Sequence, residues 1–179
     1  TPQQYQIYLL ELLTDLLQLV RTYRMDEKEA RVDLLLNEGI AMRFSDLTEL
    51  GHWLFDFCDN LRQLARQERK DSVRLLIDKA KDLLEGEYAN SELSQDYVCE
   101  KLKVSTAYFS TIFKKETGQG FVGYLTGLRM EKALELLQTT EDKTYQIAEK
   151  IGYADPNYFS YVFKKQFGVS PSKYRASRA

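Results

Sequence analysis

Tyr108-Phe109-Ser110-Thr111-Ile112-Phe113-Lys114-Lys115-Glu116-Thr117-Gly118 returns at 158–168 as Tyr158-Phe159-Ser160-Tyr161-Val162-Phe163-Lys164-Lys165-Gln166-Phe167-Gly168. The register is kept, and the offset is 158 − 108 = 50 residues. A Tyr-Phe-Ser-x-x-Phe-Lys-Lys-x-x-Gly match of this length reads as an internal repeat of one structural unit. Two copies are fewer than the roughly three a solenoid needs, so the pattern implies one module used twice.

Each copy is the second half of a helix pair. In the first, a short helix from Ser94 (Tyr97, Val98, Leu102) leads through Lys103-Val104 to Ser105, which reads as an N-cap. In the second, Ile147, Ala148 and Ile151 mark the short helix and Gly152 its C-terminal turn. Asp155-Pro156 then gives an N-cap followed by Pro at the first helical position. Two short helices across a tight turn make a helix-turn-helix. The second copy carries one more turn residue, since Val98 to Tyr108 spans 10 positions and Ile147 to Tyr158 spans 11.

The spacing also says which faces are free. Phe109, Ile112 and Phe113 share one helical face, as do Phe159, Val162 and Phe163, and these faces must meet the core. Opposite them lie Ala107, Ser110, Thr111 and Lys114 in one copy, and Asn157, Ser160, Tyr161 and Lys164 in the other. A recognition helix reads base edges from its N-terminal part in the major groove, while lysines hold phosphates. The candidate base readers are therefore Ala107, Ser110, Thr111, Asn157, Ser160 and Tyr161. The candidate phosphate contacts are Lys114, Lys115, Lys164 and Lys165. Solvated surface is the bland alternative for a single such face; two matching faces favour DNA.

Outward from the repeat, helical periodicity dominates and strand alternation is absent, so the fold class is all-α. Phe121 to about Leu137 reads as the helix joining the copies. Its length of about 26 Å suits two readers in successive major-groove segments about 34 Å apart. Val73, Leu76, Ile77, Ala80, Leu83 and Leu84 mark an amphipathic helix stopped by Gly86. The polar run 66–72 is the best boundary, with Ser72 as a cap; lacking Gly and Pro, it also suits a continuous helix.

Before it, about Gln3 to Arg24 reads as a helix with two apolar seams: Tyr5, Leu9, Leu12, Leu16, Leu19 and Tyr23, beside Leu10, Leu13, Leu17 and Val20. This width suits the centre of a small bundle, or a seam pairing with a second subunit. Asp26 caps a short second helix through Leu34-Leu35-Leu36. Asp46 and Glu49 read as a capping box for a third, with Leu47, Leu50, Leu54, Phe57, Leu61 and Leu64 as its stripe and Trp53 alongside. The chain thus divides into 1–70, a helical relay or dimerisation region, and 71–179, the double helix-turn-helix.

The 179 residues suffice for one or two small domains, and 44% apolar with 29% charged residues is ordinary for a globular chain. Net charge is −2, but residues 1–71 hold 9 Lys/Arg against 13 Asp/Glu and residues 72–179 hold 16 against 14, a mild basic bias in the half with the repeat. No segment is apolar enough to span a bilayer and no signal peptide is visible, so a reducing cytoplasm is expected. Cys58 and Cys99 fall on core-facing helical positions, where a buried thiol is the default. His52, beside Trp53, has no partner at metal spacing. With no Gly-rich phosphate loop, no metal set and no activated nucleophile, neither an enzyme nor a cofactor is expected. The chain opens on Thr1-Pro2 rather than Met, which suggests a fragment.

Residues 73–175 closely resemble the AraC/XylS family of bacterial transcription factors. The resemblance is carried by Phe113-Lys114-Lys115-Glu116-Thr117-Gly118, by 129–137 (Arg-Met-Glu-Lys-Ala-Leu-Glu-Leu-Leu), by Ile147-Ala148-Glu149-Lys150-Ile151-Gly152-Tyr153, and by 168–175 (Gly-Val-Ser-Pro-Ser-Lys-Tyr-Arg). It implies two helix-turn-helix units joined by a long helix, with base contacts from the same exposed early positions already selected. Residues 1–72 look, more loosely, like the helical segment of YesN-type response regulators. That implies a receiver domain upstream and a cognate histidine kinase; a homodimer through the N-terminal helices and contact with RNA polymerase stay open. A directly effector-binding regulator with a helical sensor domain, and a helical protein-interaction module without DNA binding, are the alternatives.

Two departures from the family pattern matter. Arg, common on the reading face, is replaced by Thr111 and Tyr161, which disfavours bidentate guanine readout. Asn157 suits adenine, and Ala107 and Thr111 offer methyl contacts to thymine, so an A·T-leaning site is expected. Gly123 and Gly127 inside the joining helix, each costing about 1 kcal/mol relative to Ala, suggest close packing or a loosened spacing.

Overall fold

The computed structural model describes residues 2–22 and 47–177, and among them every regular element is a helix. They are α1 (Pro2–Thr22), α2 (Leu47–Glu87), α3 (Gln95–Leu102), α4 (Thr106–Thr117), α5 (Phe121–Thr139), α6 (Thr144–Lys150), α7 (Pro156–Phe167) and α8 (Pro171–Ala176). The short helix expected after Asp26, the Asp46 half of the capping box, and Tyr23 lie outside the described residues. The chain separates into two compact units, 1–72 and 73–179.

In the first unit, Leu16 and Val20 of α1 pack with Leu50 and Phe57 of α2, flanked by Leu12, Leu17, Trp53, Leu54 and Leu61. Leu50, Leu54, Phe57 and Leu61 of the α2 stripe thus pack with α1 of the same chain. On α1, Leu10 and Leu19 are exposed, so the bundle core does not take up the whole of both seams; the side chains of Tyr5, Leu9 and Leu13 lie outside the described residues. Cys58 corrects another expectation. It is exposed, since it follows the buried Phe57 by one residue and so turns about 100° away from the core stripe.

The polar run at 66–72 is helical throughout, and the division between units falls inside α2. Ser72 is therefore not a cap, and Gly86 does not stop the helix, which ends one residue later at Glu87. Glycine costs a helix interior only about 1 kcal/mol, too little to terminate a helix whose apolar side is anchored by Ile77, Ala80 and Leu84.

The second unit has two cores sharing one helix. Ile77, Ala80 and Leu84 of α2, Val98 and Cys99 of α3, and Phe109, Ile112 and Phe113 of α4 close over Phe121 and Leu125 at the start of α5. Met130, Ala133 and Leu137, further along α5, pack with Ile147, Ala148 and Ile151 and with Phe159 and Phe163 of α7. Phe109, Phe113, Phe159 and Phe163 are fully buried, and each pair of rings lies 5–6 Å apart, at 5.1 Å in one copy and 5.8 Å in the other. Each buried Phe contributes roughly 1.5–3 kcal/mol, so the repeated phenylalanines seat the two helices.

Candidate nucleic-acid interface

The ends of α4 and α7 are set by local chemistry. Ser105 Oγ accepts from the Tyr108 amide at 3.4 Å, and Asp155 Oδ1 accepts from the Asn157 amide at 2.8 Å. Pro156 follows at the first helical position. Both helices stop at a left-handed glycine, Gly118 and Gly168, each at φ 79°. The two helices are equally long, at 12 residues, and start 156 − 106 = 50 residues apart. Their partners α3 and α6 start 144 − 95 = 49 apart, so the extra position falls between the start of α6 and the start of α7.

Ala107, Ser110, Thr111, Asn157 and Tyr161 are all exposed, while Ser160 is half-buried. Thr111 Oγ1 donates to Ala107 O at 3.0 Å and Ser160 Oγ to Pro156 O at 2.9 Å. Both hydroxyl protons are therefore engaged within their own helices, leaving acceptor character on both oxygens and a methyl on Thr111. Lys114, Lys115, Lys164 and Lys165 are exposed at the helix C-terminal ends, where cations also complement the helix dipole. The ion pairs formed by other lysines, Lys101–Glu87, Lys132–Glu135 and Lys150–Asp142, leave these four out. The two faces are alike in placement and different in side chain.

Three features escaped the sequence reading. Tyr158 is exposed (58%) beside Tyr161 (62%), and their rings stack at 6.4 Å. Its place in the repeated phrase disguised it as scaffold. The second feature is Arg129 on α5, buried at 9% exposure. Its Nε donates to Tyr88 O at 2.9 Å and its Nη2 to Asn90 O at 2.8 Å, and the guanidinium lies 5.4 Å from the Tyr153 ring centre. Burial pulls its pKa below the ordinary arginine value. A signal existed, because Leu125, Arg129 and Ala133 fall four residues apart on one buried face.

The third is the crowding at Gly152, whose place at the turn the sequence already marked. At φ 84° this glycine turns the chain between α6 and α7, and a Cβ there would lie 2.6 Å from Tyr88 O and 2.7 Å from Arg129 Nη2. Arg129 and Gly152 together hold the loop after α2 against the turn of the second helix pair. Tyr88 packs against both cores.

Two other polar clamps fix the helix pairs. Glu87 accepts from Tyr97 Oη at 2.6 Å and Lys101 Nζ at 2.7 Å, and the hydrogen bond from Lys101 is the main reason its carboxyl sits below the usual range. Asp142 is held low in the same way, chiefly by Lys150. Among the described residues, no group of three His, Cys, Asp or Glu side chains gathers as a metal-binding set, and no helix is long and apolar enough to cross a membrane.

A family model described as a helix-turn-helix domain matches residues 98–177, from α3 to the end of α8. The transcriptional regulatory protein YesN of Bacillus subtilis is 38% identical over 103 residues, 56% of this chain and 28% of its own length. The HTH-type transcriptional regulator YtdP of Bacillus subtilis is 26% identical over 178 residues, 99% of this chain and 23% of its own length. The solved C-terminal domain of AraT, a response regulator from Geobacillus stearothermophilus, is 42% identical, with a TM-score of 0.56 over 57% of this chain and 84% of that one. The chain spans only about a quarter of the length of these two curated relatives, but it covers most of the solved domain, and the family model falls on the two helix pairs and their shared α5. With that coverage and that architecture, it belongs to the AraC-type helix-turn-helix transcription regulators.

Proposed function

We propose that this chain is the DNA-reading output part of a transcription regulator, with α4 and α7 entering successive major-groove segments of one duplex. The carrying observation is the pair of equally capped helices that expose non-identical polar faces and lysine pairs outside the ion pairs described. Ala107, Ser110 and Thr111 would read one segment, and Asn157, Ser160 and Tyr161 the other; Lys114, Lys115, Lys164 and Lys165 would hold phosphates. The 19 residues of α5 span about 28 Å, a length compatible with groove segments about 34 Å apart once helix offsets are added. The reading involves no catalytic step.

Residues 1–70 would relay a signal or dimerise. Likeness to the AraT domain, which belongs to a response regulator, supports a receiver upstream and a cognate histidine kinase as its source of phosphoryl groups. A second reading gives the first unit an input role of its own; the alignment with YtdP takes in that unit, at 99% of the chain, whereas the alignment with YesN takes in 56%. On that reading the helical region is itself the sensor and binds a small effector or another protein directly. Extending the chain upstream separates them, since a receiver with its aspartate cluster fits only the first.

Selection of bound sequences from random DNA tests the common core. A bipartite, A·T-leaning site is expected, and recovery of no sequence preference would defeat the DNA-reading role. Within the selected site, Asn157→Ala should cost about 1–3 kcal/mol at one base pair. Equal loss on every sequence would remove Asn157 from the base readers.

A further inference from the structure

The second reading helix carries an aromatic ladder that the first lacks. Buried Arg129 lies against Tyr153 at 5.4 Å, Tyr153 lies 6.0 Å from Tyr158, and Tyr158 lies 6.4 Å from Tyr161 with the two rings within 25° of parallel. The ladder begins in the core, since Arg129 is nearly inaccessible, and ends on two rings more than half exposed. In the first copy Thr111 stands where Tyr161 stands in the second, so α4 cannot build the outer rung.

Large exposed rings on a helix with fully buried phenylalanines behind it are costly to solvate, and apolar surface of this kind marks contact sites. Neighbouring Asn157 and the Lys164–Lys165 pair fit a nucleic-acid partner rather than an apolar protein groove. Inside an intact duplex the base faces are stacked and out of reach. The apolar group that the major-groove edge presents is the C5-methyl of thymine. A ring has a broad face for that methyl, and stacking against Tyr158 restricts the rotamers of Tyr161 before binding, which lowers the ordering cost.

We propose that Tyr158 and Tyr161 form a preorganised aromatic platform that recognises a thymine methyl in the half-site read by α7. The proposal rests on the DNA-reading function above. Tyr161 supplies the contact and Tyr158 holds it in place. Specificity in the second half-site then comes from one hydrogen-bonding residue, Asn157, and one apolar pair.

The test replaces single thymines by deoxyuridine in the selected site, which removes the methyl and leaves every hydrogen-bonding group. For the chain of residues 1–179, one such replacement in the α7 half-site should weaken binding about three- to tenfold, the scale of one buried methyl group. Tyr161→Ala should bind the thymine and uracil sites equally, Tyr161→Phe should keep the discrimination, and Tyr158→Ala should reduce it. Circular dichroism of each variant should match the parent, since both rings are exposed. Equal binding of thymine and uracil at every position of that half-site by the parent chain would overturn the platform while leaving sequence-specific binding intact. Loss in Tyr161→Phe equal to that in Tyr161→Ala would assign the residue to a hydroxyl contact and also overturn it. Absence of any sequence-selected DNA would defeat the underlying function as well.

Discussion

Gly152 sits where the backbone of the second turn, the loop after α2 and the Arg129 side chain converge. Both its φ of 84° and the 2.6 Å that would separate an added Cβ from Tyr88 O exclude a side chain. Gly152→Ala should destabilise the chain by at least about 2 kcal/mol, from the left-handed strain and the displaced carbonyl together; urea unfolding measures it. Gly118, also at positive φ but with open space around it, should lose less when replaced by Ala. Glu87 makes a different statement. Its folded pKa lies below its ordinary value of 4.5, so its contribution is fully present above that pH and is lost as pH falls through the lower folded value. Lys101, raised by the same hydrogen bond, keeps its contribution until pH rises well beyond the neutral range. Glu87→Gln should therefore melt lower than the parent near neutrality, with the gap closing below about pH 4. A gap independent of pH would mean the carboxylate charge plays no part in the clamp.

At the scale of elements, α5 is the informative helix. Its apolar residues line the first core early and the second core late, so one helix sets where both α4 and α7 stand. The expected explanation for its glycines, close packing, does not hold. A Cβ at Gly127 would meet nothing within 4 Å, and at Gly123 only the Gln119 side chain at 3.6 Å, an ordinary contact. Gly127→Ala should then stabilise the chain by about 1 kcal/mol through helix propensity and reduced unfolded-state entropy. Thermal or urea unfolding decides it, and destabilisation would show that the glycine serves a constraint absent from this packing. Binding to sites with altered half-site spacing then reports whether a stiffer α5 narrows the spacings tolerated.

For the whole molecule, the proposed function makes an electrostatic demand. Each phosphate neutralised adds about 0.9 to the steepness of log K against log salt. Replacing Lys164 and Lys165 by Gln should flatten that slope by about 2 and weaken binding on all sequences alike. A slope unchanged from the parent would assign the pair to solvated surface. The mild excess of positive charge in residues 72–179 is too small to bind DNA by itself, so the proposed function draws its affinity from where the lysines stand.

The helix pairs, their caps and the buried phenylalanines were legible in the chain because they follow from local rules: periodicity, N-cap chemistry and a repeat in constant register. Family membership was legible for the same reason, through motifs contiguous in sequence. Other features depended on residues far apart. Arg129 meets Tyr88 and Asn90 across 41 and 39 positions. The clash that requires Gly152 comes from a third segment, and Cys58 faces out because Phe57 took the place beside α1. Tyr158 and Tyr161 meet three positions apart on α7, but Tyr153 joins them only once the second turn folds back on that helix. Short-range steric and hydrogen-bonding preferences were set by the sequence alone; which polar group is buried, which ring is left in water and which glycine is irreplaceable were decided by tertiary packing, where neighbours are chosen by space and not by order.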